Sequence, residues 1–214
     1  MKKLLLALPV LAVSMAASAQ PYVTLGYGYN SLSHDNTVSF SDGTNLKPDS
    51  AESVAKAALG YRFENNLGVE VGYSQFDADA SKSKTVSVVG TTVTEDEWDA
   101  DFKAKQLTIK PVYFFDVTEN LSIKGGLGLT YTDYKMSGSS QRETENEVTD
   151  VESSTAIPGV TNPASKSQKE LGVTASIGAE YRVYQGLFLG AEASFNHDSV
   201  ANASQVLGTV TYRF

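Results

Sequence analysis

From Pro21 onward, apolar residues recur at every second position in segments of about ten residues, the period of a strand whose two faces meet different surroundings. In the first segment Val23, Leu25, Tyr27 and Tyr29 share one face, and Thr24, Gly26, Gly28 and Asn30 share the other. The second sets Ala55, Ala57, Leu59, Tyr61 and Phe63 against Lys56, Ala58, Gly60 and Arg62. The alternation returns in Leu67–Tyr73, Leu107–Phe115, Leu121–Tyr131, Leu171–Tyr181, Leu187–Phe195 and Val206–Phe214, which makes eight segments, and no apolar-face position in them is charged.

The opposite face is small and polar, with Gly26, Gly28, Gly60, Gly68, Gly72, Gly126, Gly128, Gly172, Gly178 and Gly190 among serines, threonines and a few charges. Such a face suits a crowded interior, which leaves the apolar face outside. The links alternate in length: Glu64–Asn66, Asp116–Asn120 and Tyr184–Gly186 are short, residues 31–53, 76–102 and 133–169 are long and polar, and 197–202 is intermediate. Aromatics gather at both ends of the segments, with Tyr61, Phe63, Tyr113, Phe115, Tyr181, Tyr212 and Phe214 at one end and Tyr27, Tyr29, Tyr73, Tyr131 and Phe195 at the other. Short turns on one side, long loops on the other and two aromatic girdles predict an all-β chain, an eight-stranded antiparallel up-and-down transmembrane β-barrel with long extracellular loops. A soluble barrel has the same period; the glycine-rich second face and the sorted aromatics argue against it.

Lys2 and Lys3, the apolar run Leu4–Val13 and the small residues Ala17-Ser18-Ala19 read as a signal peptide over 1–19, cleaved on export to leave 20–214 as one barrel domain. The apolar run is about half the roughly 20 residues that a spanning helix needs. The chain holds 17 basic and 25 acidic residues, a formal net charge of −8 that becomes −10 once the two signal lysines leave, so nucleic acid is not an expected partner. Cysteine is absent, and a closed sheet needs no disulfide framework.

An eight-stranded barrel is only wide enough for its own side chains, so a large inward residue should face a small one. Tight turns place Glu70 opposite Gly60, Arg62 opposite Gly68, Lys110 opposite Gly126, Glu180 opposite Gly190 and Glu192 opposite Gly178. Unpaired charge is costly in such a space, which predicts an interior network in which Glu70, Glu180 and Glu192 pair with Lys110, Arg182 and Lys124. It reads either as a filled polar core or as a narrow ion gate. Pro111, on the outer face of the fourth segment, removes a ladder hydrogen bond and predicts a local bulge.

With the segments placed, Gln106-Leu107-Thr108-Ile109-Lys110 through Asn120-Leu121-Ser122-Ile123-Lys124-Gly125-Gly126-Leu127 resembles strands four and five of the OmpA transmembrane domain, and Asn66–Tyr73 resembles its strand three. The ending Val210-Thr211-Tyr212-Arg213-Phe214 resembles its last strand, where Val210, Tyr212 and Phe214 form the assembly signal. The resemblance covers nearly every strand and none of the loops. It implies that Glu70, Lys110 and Glu180 belong to the family's interior charge network; the family's basic residue on strand seven is Gly190 here, with Arg182 a substitute from strand six. The chain is expected to stop at the barrel, without the peptidoglycan-binding domain of full-length OmpA. In this it resembles the short barrels of the OmpX and accessory colonisation factor A types, which are associated with adhesion and colonisation.

The loops carry the remaining chemistry. Ser33-His34-Asp35 and His197-Asp198-Ser199 follow the first and seventh strands and meet on the outer rim, where one histidine would serve as a base or both His-Asp pairs as metal ligands; exposed loop residues without a role are the plainer reading. Glu95, Asp96, Glu97, Asp99 and Asp101 surround Trp98, and Glu143, Glu145, Glu147, Asp150 and Glu152 follow, as solvated charge or as carboxylates bridged by divalent ions to lipopolysaccharide phosphates. Trp98 is a candidate anchor for a partner. Thr85–Val93 alternates around Gly90 and predicts a hairpin above the membrane whose edge could accept a strand. The expectation is a surface-interaction, adhesion or structural barrel, with no enzyme activity, cofactor or bound metal. Its expected partners are outer-membrane lipids and lipopolysaccharide, the barrel-assembly machinery and a host surface or matrix. A narrow channel is the alternative, and a lipid hydrolase or protease is the third.

Overall fold

A computed structural model describes residues 20–49 and 52–214; the expected signal peptide, 1–19, lies outside the described residues. Eleven strands follow in order: β1 (Gln20–Ser33), β2 (Val38–Ser39), β3 (Asn45–Leu46), β4 (Glu52–Arg62), β5 (Leu67–Val89), β6 (Thr92–Asp116), β7 (Leu121–Asn146), β8 (Val151–Thr155), β9 (Lys166–Tyr184), β10 (Leu187–His197) and β11 (Asn202–Arg213). Eight of them run β6-β5-β4-β1-β11-β10-β9-β7 and close through a β6–β7 pairing, every neighbour antiparallel. β8 lies on the outer part of β7, and β2 and β3 form a separate small hairpin.

The alternation holds around the ring. Thr24, Glu70, Lys110, Thr130, Glu180 and Glu192 are buried inside, whereas Leu25, Leu59, Val71, Ile109, Leu129, Ile177, Leu189 and Val210 stand exposed on the outer wall. A continuous apolar wall of this kind is unfavourable in water and well solvated by lipid. From Leu107 to Phe115 β6 spans the 9–11 or so residues that a tilted transmembrane strand requires.

Two register expectations are corrected. Ile109 pairs with Leu129 and Val112 with Gly126, so Lys110 sits at the level of Gly128, two residues beyond Gly126. A methyl group at Gly128 would come 2.7 Å from Lys110 Cα, and one at Gly126 would come 3.3 Å from its Cδ, so the side chain runs along both glycines. The register is the same on either side of Pro111, which therefore makes no bulge. Instead the β6–β7 ladder skips Lys110 and Pro111, where the missing N–H has no bond to give, and β6 stays whole through its pairing with β5 at Val69↔Pro111.

The expected loops 76–102 and 133–169 are largely strand. β5 and β6 pair without interruption from Leu67↔Tyr113 to Val89↔Thr92, apart from a register shift between Thr85 and Ser87, and β6 stays paired with β7 out to Thr92↔Asn146. Gly90, with φ +63°, turns the tip. The outward face changes character along these strands. Tyr73, Leu107, Tyr131 and Leu171 form one cross-strand row, and the next row outward is Gln75, Lys105, Asp133 and Lys169. Above it come Asp79 beside Asp101 and Glu95 beside Glu143. The lipid boundary lies between the first two rows, and beyond it β5 to β8 form an extracellular lobe.

Candidate functional site

The interior is built in layers. At the periplasmic end Arg213 pairs with Glu180 and stacks on Phe188, 4.0 Å from the ring centre, while Arg62 pairs with Asp116 at 2.5 Å and lies over Phe114. Tyr22, Val112 and Phe114 form an apolar layer next. Then comes the main charge cluster, in which Lys56, Lys110 and Lys124 each reach both Glu70 and Glu192, at distances from 2.6 Å (Lys56 to Glu192) to 3.5 Å (Lys124 to Glu70). Tyr22 donates its hydroxyl to Glu70, and Lys110 donates to Ser176 at 2.7 Å. On the extracellular side Leu32, Val54, Phe76, Phe102, Tyr134 and Leu207 fill the barrel.

The membership of the charge network differs from the one read in the sequence. Glu70, Lys110, Lys124 and Glu192 come together as one cluster, and Lys56 joins them. Glu180 lies in a separate pair with Arg213. Arg182 is outside both: it is exposed at the periplasmic mouth and donates to Asn120 Oδ1 and to the Glu119 carbonyl. The signal for Lys56 was its inward parity, opposite Ser74 and over Gly72, where a methyl group would lie 3.5 Å from the lysine Cε.

The outer lobe has its own core, in which Val38, Phe40 and Leu46 of the β2–β3 region pack with Ile157 against Trp98 and Ala100 on the inner face of β6. Trp98 is therefore not an exposed anchor but the largest member of this cluster, 5% exposed. Asp96 and Arg142, cross-strand partners, close the lobe above it with bonds of 2.6 and 2.9 Å, and the Arg142 guanidinium holds the Asp96 carboxyl below the usual carboxylate range. On the other face the carboxylates crowd. A hydrogen bond to Glu152, reinforced by Glu97, pushes Glu143 up to about 7, and burial together with Glu97, Asp101 and Asp79 raises Asp99.

The two histidine clusters do adjoin, sharing an open cavity of about 310 Å³ on the rim lined by Ser33, His34, Asp35, Asp198 and Ser199. Their bonds lead elsewhere. His34 is buried and stacked on Phe102 with ring centres 4.6 Å apart; its Nε2 donates to the Pro48 carbonyl at 2.6 Å and its Nδ1 accepts from the Asn36 N–H. His197 meets Asn202, and Asp198 accepts from the Tyr134 hydroxyl and from the N–H groups of Val200 and Ala201. Asp35 is exposed. Among the described residues neither histidine bonds a carboxylate or a serine hydroxyl, and no group of three or more acidic or histidine side chains is arranged to hold a metal. The β5–β6 hairpin carries Lys82, Lys84 and the register shift after Thr85, features that discourage strand addition at an edge. Val210, Tyr212 and Phe214 all face outward, and the Phe214 N–H bonds Pro21 at the β1–β11 seam.

A closed ring of eight antiparallel strands, apolar outside, charged and filled inside, with short turns at one end, defines a transmembrane β-barrel of a bacterial outer membrane. The sequence matches the outer membrane protein beta-barrel domain over residues 4–214, and the chain belongs to that family. Comparison with curated proteins finds no match. Among solved structures the chain resembles Ail, the attachment invasion locus protein of Yersinia pestis, in complex with the heparin analogue sucrose octasulfate (18% identity over 92% of this chain and 100% of that one, TM-score 0.52). It also resembles Neisserial surface protein A (16% identity, 91% and 97% covered, TM-score 0.54) and the N-terminal β-barrel domain of Pseudomonas aeruginosa OprF (10% identity, 92% and 98% covered, TM-score 0.50). These likenesses establish the fold. The protein resides in the outer membrane.

Proposed function

We propose that this protein is a non-enzymatic surface-interaction barrel that engages its partner through the extracellular lobe of β5 to β8. The observation that carries this reading is the lobe itself, a packed sheet raised on strands of 23 to 26 residues where a bilayer needs only about 9–11. A barrel that served the membrane alone would have no use for it. Exposed Val88, Val89, Val148 and Val151 at the tip stand beside the carboxylate face of Glu95, Glu97, Asp99, Asp101 and Glu143, a surface suited to a cationic partner with an apolar contact point. The Ail likeness supports attachment as the class of function. The polyanion bound by that protein does not suit the acidic face here.

The interior favours a closed barrel over a channel, because apolar layers lie on both sides of the charge cluster. Lipopolysaccharide and lipid would solvate the outer wall, and the assembly machinery would read Val210, Tyr212 and Phe214. The test is truncation of the lobe: residues 84–96 replaced by Asn-Gly and residues 142–155 by a short turn, which removes Asp96 and Arg142 together and spares Trp98. Cells carrying the truncated protein should insert it normally and lose adherence to host cells or cationic matrix. Unchanged adherence would reject the proposal, and planar-bilayer conductance abolished by Lys110→Ala would favour a channel.

A further inference from the structure

The central charge cluster is out of balance. Lys56, Lys110 and Lys124 find only two carboxylates, Glu70 and Glu192, and among the described residues every ion pair of the three lysines ends on those two. The neighbouring interior charges are already matched, Arg62 with Asp116 and Arg213 with Glu180. One ammonium charge is left over, and the five side chains of the cluster are at most 9% exposed. An uncompensated buried charge is far costlier than the residues around it could tolerate without a counter-ion or a change of protonation.

Beside the cluster is a cavity of about 20 Å³, lined by Lys56, Lys110, Glu192, Ser194, Asn196 and Gln205. Two of its wall residues present donors with nothing to donate to: Asn196 Nδ2 and Gln205 Nε2 are buried without a hydrogen-bond partner. The Gln205 oxygen already accepts from Ser194, which assigns the other end of its amide to the unfilled role. Glu192, the acidic wall residue, has Oε1 held by Lys56 and Lys110, while its Oε2 makes an ion pair with Lys124 at 3.2 Å and no hydrogen bond. Surplus positive charge, orphaned amide donors and room for little more than the roughly 10–15 Å³ that one water needs all point to the same occupant.

We propose that this cavity binds one monoatomic anion, a halide such as chloride, between the ammonium groups of Lys56 and Lys110 and the amide donors of Asn196 and Gln205. The bound ion completes the charge balance of the barrel and ties its folding to halide. The site is too small for sulfate or an organic acid.

The test uses the full mature barrel refolded in detergent. Crystals in sodium bromide should show an anomalous peak within hydrogen-bond distance of Lys56 Nζ and Asn196 Nδ2. In solution the unfolding midpoint should rise with the logarithm of chloride or bromide concentration, relative to gluconate at equal ionic strength. Gln205→Glu places a carboxylate on the cavity wall, and Lys56→Met removes the surplus charge; each should abolish both the bromide peak and the halide dependence. Gln205→Glu alone suffices if Lys56→Met does not refold. Equal midpoints in chloride and gluconate with no bromide peak would overturn the proposal, leaving water in the cavity and a neutral lysine in the cluster. A halide effect that survives Gln205→Glu would overturn its assignment to this site.

Discussion

On one face of β6, Ile109 and Leu107 stand in lipid, and a few residues further along the same face Asp101, Asp99, Glu97 and Glu95 stand in water. The opposite face inverts in step: Lys110, Gln106 and Phe102 line the barrel, while Ala100 and Trp98 build the core of the lobe. The barrel and the lobe are thus made from the same strands with opposite dress. Below the row of Gln75, Lys105 and Asp133 the surroundings are apolar and the charges of the barrel wall turn inward; above it the surroundings are water and, the exposed valines near the tip apart, the apolar side chains turn inward. Strand geometry and period two do not change across the boundary. Only the side chains that the surroundings reward do.

The sharpest way to break this contrast is to remove a carboxylate from each region. Glu70→Ala leaves three buried ammonium groups around a single acid and should cost about 3–5 kcal/mol or prevent refolding; Asp99→Ala on the lobe should leave the midpoint within about 0.5 kcal/mol. Urea unfolding of the refolded barrel, followed by its gel-mobility shift on heating, reads both. Trp98→Ala should cost about 3 kcal/mol or more, all of it in the lobe. Limited proteolysis would then cut near residues 84–100 and 140–160 while the transmembrane part stays intact. A lipid-face exchange is milder: Leu127→Arg should cost about 2–4 kcal/mol, against almost nothing for Glu97→Arg higher on the same barrel wall.

The smallest effect is a pH dependence of the lobe. Glu143 has its carboxyl raised to about 7 by its hydrogen bond to Glu152, so between its ordinary range and about pH 7 the folded lobe binds more protons than the unfolded one. The sign follows: β7–β8 pairing is strongest at acidic pH and weakens as pH rises through that window. Amide exchange at Val151–Thr155, corrected for intrinsic rates, should be slower relative to the rest of the lobe at pH 5 than at pH 7.5. Glu152→Gln should flatten the difference.

The eight strands were legible because alternation between unlike faces is written directly into residue identity, and the Glu70–Gly60, Arg62–Gly68, Glu180–Gly190 and Glu192–Gly178 pairings follow from tight turns. What stayed hidden has one physical origin. Equating apolar with outside works in the bilayer and fails wherever an apolar residue fills the barrel or the lobe. Phe76, Phe102 and Phe114 have the inward parity of Glu70 and Lys110, yet nothing in a phenylalanine says whether lipid or a protein core will cover it. Trp98 read as an exposed anchor because its neighbours are acidic, but those neighbours are on the other face or tied up with Arg142. Arg182 and Arg213 show the reverse difficulty. Both are basic residues near a strand end, and only the packing of side chains across β9, β10 and β11 brings Arg213 to Glu180 and leaves Arg182 at the mouth.

The inversion at the membrane surface is tested most directly by spin labels, since the chain has no cysteine of its own. Single labels at Glu97→Cys, Asp101→Cys, Leu107→Cys and Ile109→Cys, all on the outward face of β6, are read in lipid bilayers for collision with oxygen and with a water-soluble nickel chelate. Positions 107 and 109 should be accessible to oxygen and shielded from nickel, and positions 97 and 101 the reverse, with the crossover between 101 and 107. Nickel access at 107 and 109, or lipid-like oxygen access at 97 and 101, would contradict the division of these strands into a lipid-facing barrel and a water-facing lobe.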